Sequence, residues 1–316
     1  MKVVGLVKND ARINDTVMQT NGMLMSFKAF CVVNLVYSIK NFNQETDIHL
    51  ASIDQLLLKS DKEINSFLDG FDLIVTYTSK KKPIQDYLVT NQSKVIFIEQ
   101  PVIHRRVNVE LRDQPYVRVM ANHQLGTKFI SKYSTGSVRK NFILPKKTIS
   151  KNSNDLILII NQTVGDLAIR PQDPYDWLEN SIKKIKEINI DKKICIRDHP
   201  LQREEFRNRI DKLLELGVEI SKNKFIEDDL KDTYCCITFS SGSAIESIIN
   251  EVPTIATDKR SFVFEEVSNE INNLKNITRI KKPDINKIYS AMSNTHFSLN
   301  EILDGTCWKI IKNFLC

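Results

Sequence analysis

A chain of 316 residues is long for one hydrophobic core and comfortable for two domains of about 150 residues each. With 41% apolar and 27% charged residues it has the balance of a soluble globular protein, and a net charge of +6 permits a polyanionic partner without requiring one. No window nears the roughly 20 apolar residues of a membrane span, and none of the 6 cysteines forms a CxxC pair, so a disulfide framework and a zinc site are both disfavoured. The apolar run after Met1 ends at Lys8, too short for a signal-peptide core, which sets the expectation of a cytoplasmic protein. Abundant Lys, Asn and Ile suggest the AT-rich genome of a bacterium or a phage.

The chain opens with a buried strand, Val3 to Val7, and a polar loop carrying Asp10 and Asp15. A helix is predicted over Met23–Tyr37, a strand over Asp47–Ala51, a helix over Ile53–Leu68 and a strand from Phe71 to Thr76. A short helix (Lys81–Val89) and a fourth strand (Lys94–Glu99) complete an alternation that implies a parallel sheet. The pattern then breaks. Gln100 to Arg118 has no clear periodicity and holds Arg105, Arg106, Arg112, Arg118 and His104. Loops of that length are often functional, and this one leaves the C-terminal end of a strand. A strand from Val117 to Ala121, a helix near Leu125–Tyr133 and a strand over Val138–Leu144 follow.

The polar, basic stretch Pro145–Asn154 reads as a linker. Beyond it the alternation restarts, with strands at Asp155–Ile160, Lys193–Ile196, Val218–Ile220, Cys235–Phe239 and Pro253–Ala256. Helices are expected at Tyr175–Glu187, Leu201–Leu216, Ser243–Asn250, Ile285–Met292 and from Leu299 to Phe314. The expected architecture is therefore α/β: a Rossmann-like domain over 1–147, a second over 148–298, the two facing across a cleft, and a terminal helix over 299–316 folding back across the junction.

Two short signatures fall where a strand gives way to a loop and then a helix, the edge at which open α/β sheets bind ligands. In CIRDHP, Arg197 and His199 precede a helix whose free N–H groups favour an anion, so His199 suits a phosphate or a leaving group gaining charge; it equally suits a plain helix cap. In TFSSGSAIES, Ser240, Ser241, Gly242 and Ser243 offer donors to a monophosphate or diphosphate, or else form an ordinary cap. Glu246 would accept bonds from ribose hydroxyls or close a capping box with Ser243. Both motifs in one half, about 40 residues apart, are more specific than either alone.

The pair HP and SS-x-x-x-x-E resembles the donor half of glycosyltransferases with two Rossmann domains (GT-B), in particular bacterial capsule and lipopolysaccharide Kdo transferases and sialyltransferase-like families. Ile159–Ile169 is similar to the "GQ…D.SI" loop of the capsule enzymes, with Asn161 where glycine is usual and Ala168 where serine is common. The resemblance covers about residues 155 to 260. It implies that His199, Ser240, Ser241 and Ser243 hold the donor phosphate and that Gln162 and Asp166 line the cleft. It further implies inverting, metal-independent transfer from a UDP- or CMP-linked sugar, with no cofactor and with a base from the N-terminal half. In that half, IEQPVIHRR, YVRVMANH and NTHFSLNEILDGTCW are similar to phage-encoded glycosyltransferases, some of which act on hydroxymethylated DNA bases.

An inverting transferase needs a base near the acceptor hydroxyl. Asp15, Asp10 and Glu99 are the candidates, with His104 weaker; His49, His123 and His296 read as packing or surface residues. Arg105, Arg106, Arg112 and Arg118, with Lys80, Lys81 and Lys82, would make a basic acceptor face, or else pair locally with Glu110 and Asp113. The acceptor is thus expected to be hydroxymethylated DNA, whose target base must leave the stack, or a surface glycan, with the balance slightly toward DNA. A sugar-nucleotide epimerase and a non-catalytic nucleic-acid-binding module are the alternatives from other classes. Oligomeric state is not legible.

Overall fold

A computed structural model describes residues 1–8, 17–20, 23–77, 82–103, 114–122, 126–166, 168–199, 206–267 and 270–315, with only the backbone at 17–20, 23–25, 207 and 277. The chain divides into two compact units, one formed by Met1–Gln124 with Met292–Cys316 and the other by Leu125–Ala291. The sequence places the changeover at 147/148; the contacts place it at 124/125, ahead of the polar stretch, and again at 291/292.

The first unit contains β1 (Lys2–Val7), β2 (Val17–Thr20), β3 (Met23–Ser26), α1 (Phe27–Phe42), β4 (Asp47–Ser52), α2 (Ile53–Leu56), α3 (Asp61–Asp69), β5 (Leu73–Tyr77), α4 (Lys82–Thr90), β6 (Val95–Glu99) and β7 (Val117–Ala121). The second holds α5 (Phe129–Tyr133), β8 (Leu156–Ile160), α6 (Pro174–Ile188), β9 (Lys193–Arg197), α7 (Arg207–Leu214), β10 (Glu219–Ile220), α8 (Ile226–Leu230), β11 (Thr233–Thr238), α9 (Ser243–Ile249) and β12 (Thr254–Ala256). The chain then passes through α10 (Ile285–Ser293), and β13 (His296–Phe297), α11 (Leu299–Leu303) and α12 (Thr306–Ile311) return to the first unit.

Both units are α/β, and each is built on a sheet buried on two faces. In the first, Val3, Leu73, Val75, Ile96 and Ile98 point to one face, packing with α1 and the C-terminal residues Ile302, Trp308 and Ile311. Their sequence neighbours Val4, Leu6, Ile74, Val95 and Phe97 pack on the other against Ile64, Leu68 and Ile84. In the second, Ile157, Ile159, Ile194, Ile196 and Ile237 meet α6, while Leu158, Ile160, Cys195 and Cys236 line the opposite face. That two-residue alternation within continuous apolar runs is what a doubly covered parallel strand requires. Gly5 lets α1 close on β1: a Cβ there would sit 3.1 Å from both Val32 and Val36.

The sheet orders fix where ligands can go. The second sheet runs β10-β9-β8-β11-β12, all parallel, so its strand order reverses between β8 and β11. The first runs β13-β7-β6-β5-β1-β4, with parallel pairing from β4 to β6 and a reversal between β1 and β5. Its last two strands depart from the expected parallel pattern. β7 runs antiparallel to β6, and β13 antiparallel to β7.

Local chemistry explains the other departures. The helix expected over Ile53–Leu68 is two helices, because Ser60 starts a new one in a reciprocal capping pair with Glu63. The helix expected from Met23 begins at Phe27 behind the cap Ser26, and Met23–Ser26 instead pairs with Val17–Thr20 as a hairpin. The strand expected over Val138–Leu144 does not form; Gly136 takes a positive φ of 81° and the Phe142 N–H turns back to the Arg139 carbonyl. The terminal helix breaks at Gly305 into α11 and α12, which pack on α1. No helix among the described residues is long and apolar enough to cross a membrane.

Candidate functional site

The reversal between β8 and β11 places three strand ends side by side. Pairing aligns Arg197 of β9, Ile160 of β8 and Thr238 of β11 in one row. His199, Gln162 and Ser240 each lie two residues beyond that row, so both sequence signatures and the β8 loop meet at one sheet edge. The alignment continues into the loops, where the Asn161 N–H donates to the Arg197 carbonyl at 2.9 Å.

Gln162 ties this edge together. It is only 5% exposed, and its Oε1 accepts the Ser240 N–H at 3.0 Å. A backbone N–H can face only the amide oxygen, so the Gln162 Nε2 must point the other way, and it has no partner among the described residues. The Ser240 hydroxyl lies 2.7 Å from the Ala168 carbonyl and 3.1 Å from Gln162 Oε1. Ser240, expected to hold phosphate, is therefore engaged internally: it joins the β11 loop to the β8 loop.

Ser241 and Ser243 are different. Both are half-buried. Ser241 Oγ accepts the Ser243 N–H at 3.3 Å, which leaves its own proton to donate, and the Ser243 hydroxyl has no partner among the described residues. Gly242 occupies the cap position of α9, so Ser243 is a first-turn residue and not the cap of a Ser243–Glu246 box; Glu246 sits half-buried in that turn. Asp166 Oδ1 accepts the Ala168 N–H at 3.0 Å and shapes the β8 loop. His199 is half-buried at the β9 end.

Three expected site residues are engaged in ion pairs. Arg197 pairs with Asp229, which is 3% exposed, and donates at 3.0 Å to both the Asn223 and Lys224 carbonyls. Asp229 also accepts from Ser221 Oγ at 2.6 Å and Asn223 Nδ2 at 2.8 Å. That guanidinium, expected to bind donor, braces the loop between β10 and α8. Arg118, expected on the acceptor face, has 8% of its side chain exposed and is ion-paired with Glu99, its partner across the β6–β7 register. Glu99, expected as a base, is committed by the same pair to holding two antiparallel strands. Asp10, Asp15, Lys80, Lys81, His104, Arg105, Arg106, Arg112 and His123 lie outside the described residues. His296 is a packing residue as expected, buried and accepting the Val102 N–H at 3.2 Å.

The structure adds residues that the sequence pattern does not single out. Asp198, within CIRDHP itself, accepts from Asn161 Nδ2 at 2.8 Å. Burial pushes its carboxyl above the usual range, opposed by the Asn161 bond, the His199 backbone N–H and the charge of His199. Phe239, just before the serines, lies 5.8 Å from the Trp177 ring on one side and 5.0 Å from the Arg260 guanidinium on another. Arg260 in turn is held by Asp258 through Nε at 2.6 Å and Nη2 at 3.0 Å. Spacing could not reveal the contacts of Asp198 and Phe239, because each joins parts of the chain far apart in sequence. Among the described residues no cluster of three or more His, Cys, Asp or Glu side chains is arranged to hold a metal ion.

The chain matches no family model and no curated protein sequence. Solved structures similar to it include the β Kdo 2,4 transferase of Thermosulfurimonas dismutans KpsC, at 11% identity, covering 90% of this chain and 95% of that one, with a TM-score of 0.48. The β Kdo 2,7 transferase of the same KpsC is similar at 12% identity, 98% of this chain and 100% of that one, with a TM-score of 0.48. A Methanocaldococcus jannaschii UDP-GlcNAc 2-epimerase, solved with UDP-GlcNAc and UDP, is similar at 14% identity, 92% of this chain and 98% of that one, with a TM-score of 0.34.

Proposed function

We propose that the second unit binds the phosphate of a UDP- or CMP-linked sugar and that the protein is a metal-independent, inverting glycosyltransferase. One observation supports the reading above the others: at the point where the second sheet reverses strand order, Gln162 Nε2 and the Ser241 and Ser243 hydroxyls are donors with no acceptor among the described residues, beside the strand end that carries His199. A phosphate takes several such donors at once, and a donor fixed in advance stabilises the leaving phosphate without reorganising as charge develops. Glu246, half-buried in the first turn of α9, is the proposed acceptor of ribose hydroxyl bonds.

With Glu99 committed to Arg118, Asp15 is the base that the proposal retains. The same pair removes Arg118 from the basic face that favoured DNA. The proposed acceptor is therefore a hydroxyl of a surface glycan, in keeping with the capsule-type motifs, and hydroxymethylated DNA becomes the competing arm of the test.

The test incubates the purified chain with a panel of UDP- and CMP-linked sugars, alone and with a lipid-linked glycan or hydroxymethylcytosine DNA, and follows product masses. Sugar transfer to glycan is expected, with His199→Ala and Ser241→Ala each lowering nucleotide affinity and turnover about tenfold or more. Isomerised donor without acceptor would mark an epimerase, and mass gain on DNA would replace the glycan. Unchanged affinity in both variants would overturn the site.

A further inference from the structure

Asn161 stands where the resembling enzymes carry glycine, and its side chain has a task that glycine cannot perform. It is 1% exposed, and both ends of its carboxamide are engaged. Oδ1 accepts the Gln162 N–H at 2.8 Å, which turns Nδ2 outward to donate to Asp198 Oδ1 at 2.8 Å. Gln162 continues the chain of bonds to the Ser240 N–H at 3.0 Å, and the Ser240 hydroxyl reaches the Ala168 carbonyl at 2.7 Å. One run of hydrogen bonds thus crosses the ends of β9, β8 and β11 and ties the three loops to one another, leaving Gln162 Nε2 as the donor that it does not use.

We infer that Asn161 and Asp198 are positioning residues that lock the His199 strand end to the Gln162 and Ser240 loops, so that the phosphate donors on these loops are held in register before a nucleotide arrives. The inference rests on the nucleotide-binding reading of this edge. Without the clip, the residue preceding His199 has no side-chain tie to the β8 loop, and binding must supply the ordering that the free protein lacks. Neither residue touches the nucleotide; both act through the backbone that carries the groups that do.

The chemistry of the pair gives a test that loss of a side chain alone would not. Asp198→Asn keeps an amide oxygen to accept from Asn161, so the clip survives. Asn161→Asp sets two carboxylates against each other where a 2.8 Å hydrogen bond stood. Combining them restores the bond with its polarity reversed, because the carboxylate placed at position 161 accepts both from the Gln162 N–H and from the amide placed at position 198. Titrations of UDP and of CMP, run well below every variant's melting temperature, should show Asp198→Asn within about twofold of the parent, Asn161→Asp weaker by about tenfold or more, and the double variant back within about threefold. Should Asn161→Asp fail to fold, Asn161→Ala and Asp198→Ala remove the bond without repulsion and should each weaken binding. Parent-like affinity in Asn161→Asp or in both alanine variants, or a double variant as weak as the single, would overturn the inference while leaving the nucleotide site standing. A parent chain that binds neither nucleotide would overturn the site and the inference together.

Discussion

The ends of β6 and of β8 invite the same expectation and meet opposite fates. Polar residues stand at each strand end, Glu99 as the last residue of β6 and Asn161-Gln162 directly after β8. At β6 the neighbouring strand is antiparallel, so Glu99 faces Arg118 directly and the two charges neutralise each other. At β8 both neighbours are parallel, so three loops leave in the same direction, and Gln162 Nε2 and the Ser241 and Ser243 hydroxyls have no acceptor among the described residues. The lesson concerns how a charged residue at a strand end is judged: what matters is whether its polar atoms are consumed by the adjacent strand. Arg197 repeats the point within the second unit, since its guanidinium is drawn into the loop beyond β10 and away from the edge it borders.

That contrast breaks first under stability measurements. Arg197→Ala removes the charge partner of the buried Asp229 carboxylate, so denaturant melts should show a loss of roughly 3–5 kcal/mol, and Arg118→Ala, which removes the ion pair to Glu99, should also destabilise. For those that remain folded, nucleotide affinity should stay near the parent value. A nucleotide-binding defect in Arg197→Ala with unchanged stability would return that residue to the site.

A smaller effect follows from Asp198. Its folded-state carboxyl is shifted upward by burial, so its contribution to stability is fully present below the unfolded value and is lost as pH rises through the raised one. Asp198→Asn has no such loss. The melting-temperature difference between Asp198→Asn and the parent should therefore move in the variant's favour between acid and neutral pH. A pH-independent difference would show that burial does not act on this carboxyl.

Much of the fold is legible in the sequence because buried parallel strands leave continuous apolar runs such as Leu156–Ile160 and Leu73–Val75, and because helices announce their caps, as Asp173 does before Pro174. Strand direction at β7 is not legible, since an apolar run carries no sign of which way it points. The two-residue β13 escapes sequence reading because its only local signature is the pair His296-Phe297. Of the site, the strand-end positions of His199, Gln162 and Ser240 follow from motif and spacing. The division of labour among the serines does not, because whether a hydroxyl faces Ala168 or open space depends on a loop packed from elsewhere in the chain.

The smallest expected signal is a chemical one. Burial pushes the thiols of Cys31, Cys195 and Cys236 up to about 12 and that of Cys235 well above its ordinary value. Cys307 is buried as well. Native alkylation at neutral pH followed by peptide mapping should leave all five unlabelled. Labelling of Cys195, next to the Arg197 end of β9, would show that this edge opens more than its packing implies.

Hydrogen exchange with and without saturating UDP or CMP locates the nucleotide most directly. Protection is expected at 161–166, at 198–199 and across 239–246, with no change at 95–99 or 117–121. Protection confined to the first unit, or none anywhere under either nucleotide, would contradict a phosphate site at the β8–β11 edge.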